Sequence, residues 1–217
     1  MAKMTIRECM DAAYQLLNEY SIAGEVVHLS YNDQADLENR MVNLINAAQM
    51  EIAKTVKPIH ESATFVVDDD NFRTGWQALH MPYNFDSIND VRFVKDEKHP
   101  YKMPEFERTS RYRQLEDQTI YFPTDVKGTY IVEYNRYPIR YSADVDKDTG
   151  LDNTPDTHEA IPYYVASMLA IDDHQYAYAA FNNEWEKRLA RMDSKVPHVE
   201  SGDVDDVYGF NRFYGVW

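Results

Sequence analysis

The 217-residue chain predicts an α+β protein: a helical core built from both chain ends, an inserted small antiparallel β-domain, and an extended C-terminal arm. Three observations carry this. Apolar residues recur at helical spacing before about residue 59 and again after about residue 160. Between them the pattern changes to short β-rich runs separated by Asp, Asn, Pro and Gly. The final stretch, 202–217 (GDVDDVYGFNRFYGVW), follows neither pattern.

Thr5 and Glu8 form a capping box, and Ile6, Met10, Ala13, Leu17 and Tyr20 then mark one helical face. After a loop containing Gly24, Val26 and Val27, a longer helix is expected to begin between Ser30 and Asp33. Its stripe is Leu37, Met41, Leu44, Ile45, Ala48 and Ile52, and Pro58 stops it. Strands are expected at 63–67, 76–81, 88–94, 119–122 and 129–135. In the last, Tyr130, Val132 and Tyr134 alternate with Thr129, Ile131 and Glu133. Helix returns after Pro162, with Val165, Met168 and Leu169 leading to Tyr178, Phe181, Trp185, Leu189 and Met192. Whether Asp172, Asp173 and His174 divide it in two stays open. The resulting layout is 1–59 and 161–196 for the helical core, 60–140 for the β-domain, 141–160 for an acidic loop and 197–217 for the arm.

Composition narrows the function classes. A net charge of −15 argues against binding a nucleic-acid backbone by charge, though not against a protein that surrounds DNA while repelling it. Tyrosine is abundant, 17 against 9 Phe and 3 Trp, and its flat apolar body with a polar tip suits contact surfaces. The single cysteine, Cys9, allows no internal disulfide and fits a reducing compartment. MAKMTIREC leads into a polar helix, which reads as no signal peptide. No apolar run approaches the roughly 18 residues of a membrane span, so a soluble protein made inside the cell, with no membrane partner, is expected.

The arm is the first candidate site. Asp203, Asp205 and Asp206 precede Tyr208, Phe210, Phe213, Tyr214 and Trp217, with Gly209 and Gly215 between the rings. So short a segment cannot bury five large rings within itself, which points to docking on another subunit or protein; folding back on its own domain is the alternative. Asp144, Asp146, Asp148 and Asp152 match positions one, three, five and nine of a calcium loop, but Thr149 and Pro155 stand where Gly and Glu are expected. With six acidic residues against one lysine between Tyr141 and Ala160, the segment reads first as a solvated loop, with Ca²⁺ as the alternative ligand. Asp68, Asp69, Asp70 and Asn71 read as a turn.

Catalytic motifs are sparse. The histidines show no zinc-protease spacing, Cys9 has no local activating partner and reads as a core residue, and no phosphate-cradling glycine loop exists among seven glycines. The expected protein is therefore not an enzyme and needs no cofactor. The alternatives kept are a divalent-metal hydrolase using the four aspartates with His158, and a carbohydrate-binding module using the Tyr-rich insertion. One region, 92–113, is locally basic, with seven Lys or Arg (Arg92, Lys95, Lys98, Lys102, Arg108, Arg111, Arg113) against four carboxylates, interleaved with Tyr101, Phe106 and Tyr112. It suits nucleic acid or the acidic face of a neighbouring copy. The overall charge favours the copy, with Arg108, Arg111 and Arg113 as subunit contacts.

The layout resembles the head–tail connector (adaptor) proteins of tailed bacteriophages. The likeness rests on TIRECMDAAYQLLNEY, LINAAQMEIAKTVKPI, LHMPYNFDSINDVRFV, GTYIVEYNRYPIRYS and IPYYVASMLAIDDHQYAYAAFNNEWEKRLARM, spread over most of residues 4–193. A strand ending in Y-x-x-Y-P followed by a helix opening I-P-Y-Y-V-A is its most specific element. The resemblance implies a ring, commonly of twelve copies, seated on the portal protein and offering a platform to the tail or a second neck protein. It implies a neck component of the virion, made in the host cytoplasm, whose channel DNA crosses without specific binding, and an arm that engages the portal.

Overall fold

The structure, a computed structural model, describes residues 3–22, 34–68, 75–94, 106–109, 111–114, 118–171 and 175–193. The first helix, α1, runs Ile6–Ile22 and starts where its cap says it should. The Glu8 amide donates to Thr5 Oγ1 (3.1 Å) and the Thr5 amide to Glu8 Oε2 (2.8 Å). Helix α2 (Gln34–Thr55) ends three residues before Pro58, which has no amide to continue the ladder.

Seven strands follow among the described residues: β1 (Ile59–Val67), β2 (Trp76–His80), β3 (Phe85–Val94), β4 (Phe106–Arg108), β5 (Arg113–Gln114), β6 (Thr119–Pro123) and β7 (Gly128–Arg136). They form two antiparallel sheets, ordered β1-β7-β3-β4 and β2-β6-β5. Phe122 of β6 joins the sheets, its ring 5.3 Å from Phe65 and 4.6 Å from Tyr130. Gly128 permits the close packing at the other end of β7. Its φ is +141°, and a Cβ there would lie 2.8 Å from the Phe93 ring.

A short 3-10 turn, Pro155–Ala160, leads into α3 (Ile161–Ala170), and α4 (Gln175–Asp193) closes the described chain. Two helices therefore stand where the sequence left one or two open; 172–174 lie outside the described residues. All four helices share one core. Ile6, Met10, Ala13 and Leu17 of α1 meet Met41, Ile45, Ala48 and Ile52 of α2, with Val165 and Leu169 of α3 and Phe181 and Trp185 of α4. Most residues of the predicted stripes are buried, because helical period and burial coincide; Leu44, Met168, Tyr178, Leu189 and Met192 are half-buried at the margin, and the Tyr20 side chain lies outside the described residues.

Strand β1 begins at Ile59, four residues before the expected start, because His60, Glu61 and Ser62 are exposed and conceal the alternation. Strands β4 and β5 are missed outright: three and two residues carry no readable period. The acidic segment read as a loop contains the 3-10 turn, where Thr157, His158 and Ala160 are buried.

Candidate partner surfaces and the joint behind them

Strand β7 places the residue that ties the two modules together. Tyr130, Val132 and Tyr134 face inward, and the same alternation makes Arg136 the next inward residue, 8% exposed. A buried guanidinium requires partners. Asp152 supplies two, with Nη1 2.5 Å from Oδ2 and Nη2 3.0 Å from Oδ1. Glu61 of β1 supplies a third, 2.7 Å from Nε, and the Tyr137 carbonyl accepts from Nη1 at 3.1 Å. Burial works to raise the Asp152 pKa, but Arg136 and the Ile139 amide (2.7 Å) outweigh it and hold the carboxyl below its usual value. The hydrogen bonds to Asp152 push Arg136 the opposite way, upward.

Asp152 is itself anchored to the helical core. Its amide donates to Gln49 Oε1 of α2 at 2.8 Å, and Asn153 Nδ2 donates to the Gln49 carbonyl at 3.1 Å. Asn46 holds Tyr141 in the same way, accepting its amide and donating to its carbonyl, each at 2.9 Å. The β-sheets are thereby bound to α2 through charged and amide groups that burial makes costly to separate.

The acidic loop caps α1. Ile6 and Arg7 amides donate to the carbonyls of Thr149 (3.0 Å) and Lys147 (2.8 Å), and Leu151 donates to Met4 (2.8 Å). Together with the capping box these satisfy the amides of the first turn. Negative charge is favourable at this helix end, where Asp148 pairs with Arg7 at 2.9 Å. Asp146 accepts the Asp148 amide at 3.0 Å, a local turn bond. The four aspartates at calcium-loop spacing are not brought together: Asp152 turns to Arg136, Asp148 to Arg7, and Asp144 is exposed. Among the described residues no group of three or more His, Cys, Asp or Glu is placed to hold a metal.

His158 serves the same joint. The Met4 amide donates to Nδ1 (3.1 Å), so Nε2 carries the proton and donates to the Asn153 carbonyl (2.8 Å). Burial lowers its pKa, keeping it neutral. Cys9 is buried in the helical core, and burial pushes its thiol well up, as befits a packing residue.

The three arginines singled out as subunit contacts lie on the sheets. Arg108 is 83% exposed and reaches Asp90 at 3.2 Å, where Arg92 also binds at 2.8 Å. Arg111 pairs with Asp125 (2.5 Å), and Arg113 stacks over Trp76, 4.8 Å from the ring centre. Arg111 and Arg113 line one groove with Trp76, Tyr112 and Asp125. The positive excess read from 92–113 is thus partly balanced by Asp90, Glu133 and Asp125, which cross-strand pairing brings in from outside that window or across the sheet. The arm residues Asp203 to Trp217, and Lys95, Lys98, Lys102 and Tyr101, lie outside the described residues.

Sequence reasoning passed over Arg136, although its parity with Tyr130, Val132 and Tyr134 was the available signal. Its partner Asp152 reads from sequence as part of a solvated loop, with metal ligation as the alternative, because spacing says nothing about which distant strand a carboxylate will meet.

The structure thus shows two modules joined through Arg136, Asp152 and Gln49, with Arg108, Arg111 and Arg113 on the sheets. Residues 4–206 match the family described as SU10 adaptor protein, and the chain belongs to that family. It is a structural head–tail adaptor of a bacteriophage, a virion component whose family role is structural rather than enzymatic. Its partners are other virion proteins. A search of curated proteins finds no match.

Proposed function

We propose that this adaptor forms a ring, of twelve copies, joining the portal of the packaged head to the tail and forming part of the DNA channel. The observation that carries the reading is family membership across nearly the whole chain. The net charge of −15 supports it, because an acidic wall lets DNA slide without sticking. Tyr208, Phe210, Phe213, Tyr214 and Trp217 anchor the arm on the portal, and Asp203, Asp205 and Asp206 orient it against basic partner residues. Exposed Arg108, with Arg111 and Arg113, contributes to contacts between copies.

The test is to mix purified chain with portal and measure the mass of the product beside each protein alone. A discrete complex with a symmetric number of copies is expected, and deleting residues 202–217 should abolish it while leaving the helices folded. No association at micromolar concentrations overturns the portal-joining reading; full association of the truncated chain overturns the role of the arm.

A further inference from the structure

Strand β1 has β7 on one side and, among the described residues, no strand on the other. Which of its backbone groups face that open edge follows from the ladder. The Tyr137 amide donates to the Asn84 carbonyl (2.8 Å), so odd-numbered residues of β7 direct their peptide groups to β3 and even-numbered ones to β1. The register Ile59↔Arg136 to Val67↔Gly128 then directs odd-numbered residues of β1 to β7 and turns His60, Ser62, Thr64 and Val66 outward. Gln77 gives an independent check. Its side-chain amide accepts from the Asp68 amide (3.1 Å) and donates to the Val66 carbonyl (3.4 Å), covering the end of the edge as a neighbouring strand would. His60, Ser62 and Thr64 continue that edge with exposed side chains.

Edges left open for good carry protective devices: lysine, proline, a bulge or an uncompensated inward charge. Strand β1, IHESATFVV, has no lysine or proline and pairs through nine consecutive positions without a bulge. Its inward-facing carboxylate, Glu61, is paired with Arg136 (2.7 Å) and accepts from the Tyr134 hydroxyl (3.0 Å).

We propose that this edge is a contact between copies, taking β4 of a second copy so that one sheet continues into the next; the inference rests on the ring-forming reading above. The four strands are antiparallel, so β1 and β4 run in opposite directions, and β4 of a neighbour beside β1 keeps the antiparallel order. Strand β4 also has groups to offer. The Thr109 amide donates to the Val91 carbonyl (2.9 Å), which turns the backbone of Glu107 inward and those of Phe106 and Arg108 outward. One copy therefore bears both halves of a head-to-tail contact, as a closed ring requires, whereas β1 against β1 would stop at a two-fold dimer.

Proline tests the contact. Ser62→Pro and Thr64→Pro each remove an outward amide that has no partner in the ladder, at an edge position where proline is tolerated. The purified variants should keep the wild-type circular dichroism, while copies incorporated per virion fall by about tenfold or more. Folded proline variants that assemble like wild type overturn the proposal. Ser62→Cys combined with Arg108→Cys identifies the occupant: oxidised virions should give a covalent ladder of multimers, while wild type, with only buried Cys9, gives none. A dimer from Ser62→Cys alone would place β1 against β1 and overturn β4 as the partner. Multiple copies per neck without a ladder would likewise overturn this contact while leaving the ring intact. A single copy per neck would overturn the ring itself.

Discussion

Replacing Arg136 with Met should destabilise the protein by about 3–5 kcal/mol, the range for removing one partner of a buried ion pair. The magnitude follows from the site. Side-chain exposures of 9% for Arg136 and 10% for Asp152 leave little water to compensate, and the substitution strands a carboxylate left with the Ile139 amide and the charge of Lys3. Asp152→Asn in the same chain removes the stranded charge, so the double variant should recover part of the loss. Glu61→Gln should cost far less, because Glu61 is 43% exposed and solvent screens its share. Equilibrium urea unfolding of wild type, both single variants and the double variant gives the coupling energy directly. The expected signature also includes separation of the transition into two, as the sheets and helices lose their link. A loss below about 1 kcal/mol for Arg136→Met, or a coupling energy near zero, would refute the claim that this pair locks the modules.

Three further outcomes follow from the same structure. Phe122→Ala should cost about 3–5 kcal/mol in denaturant unfolding, since the ring is fully buried between the sheets and leaves a cavity touching Phe65 and Tyr130. His158 is neutral and its folded pKa lies below its unfolded value near 6.5, so its stabilisation is present above about pH 6.5 and is lost as pH falls through the folded pKa. Melting temperatures measured from pH 7.5 to 5 should fall more steeply for wild type than for His158→Gln. Cys9 should resist a thiol reagent in the native protein and react fully in denaturant; rapid native labelling would contradict its burial.

How much was legible varies by element. The helices are readable because a 3.6-residue period is imposed locally, and most of the residues of α1 and α2 that repeat are residues the core buries. The clearest strand, β7, was readable for the matching reason at period two. Strand β1 was cut short because its outward and inward positions are both polar at His60, Glu61 and Ser62. The described part of the basic stretch 92–113 is partly balanced once β3, β4 and β7 align, since Glu133 comes beside Arg92 and Arg108 reaches Asp90.

The α+β class, the helical faces, the inward face of β7 and the cap of α1 are legible along the chain, all set by interactions within a few residues. Long-range packing settles that the strands divide into two sheets, that Asp152 answers Arg136, that the acidic loop caps α1, and that β1 has no strand beyond it among the described residues. Each of those depends on which distant segments meet, through backbone and charged groups that nearly every residue carries, so local pattern holds no record of them.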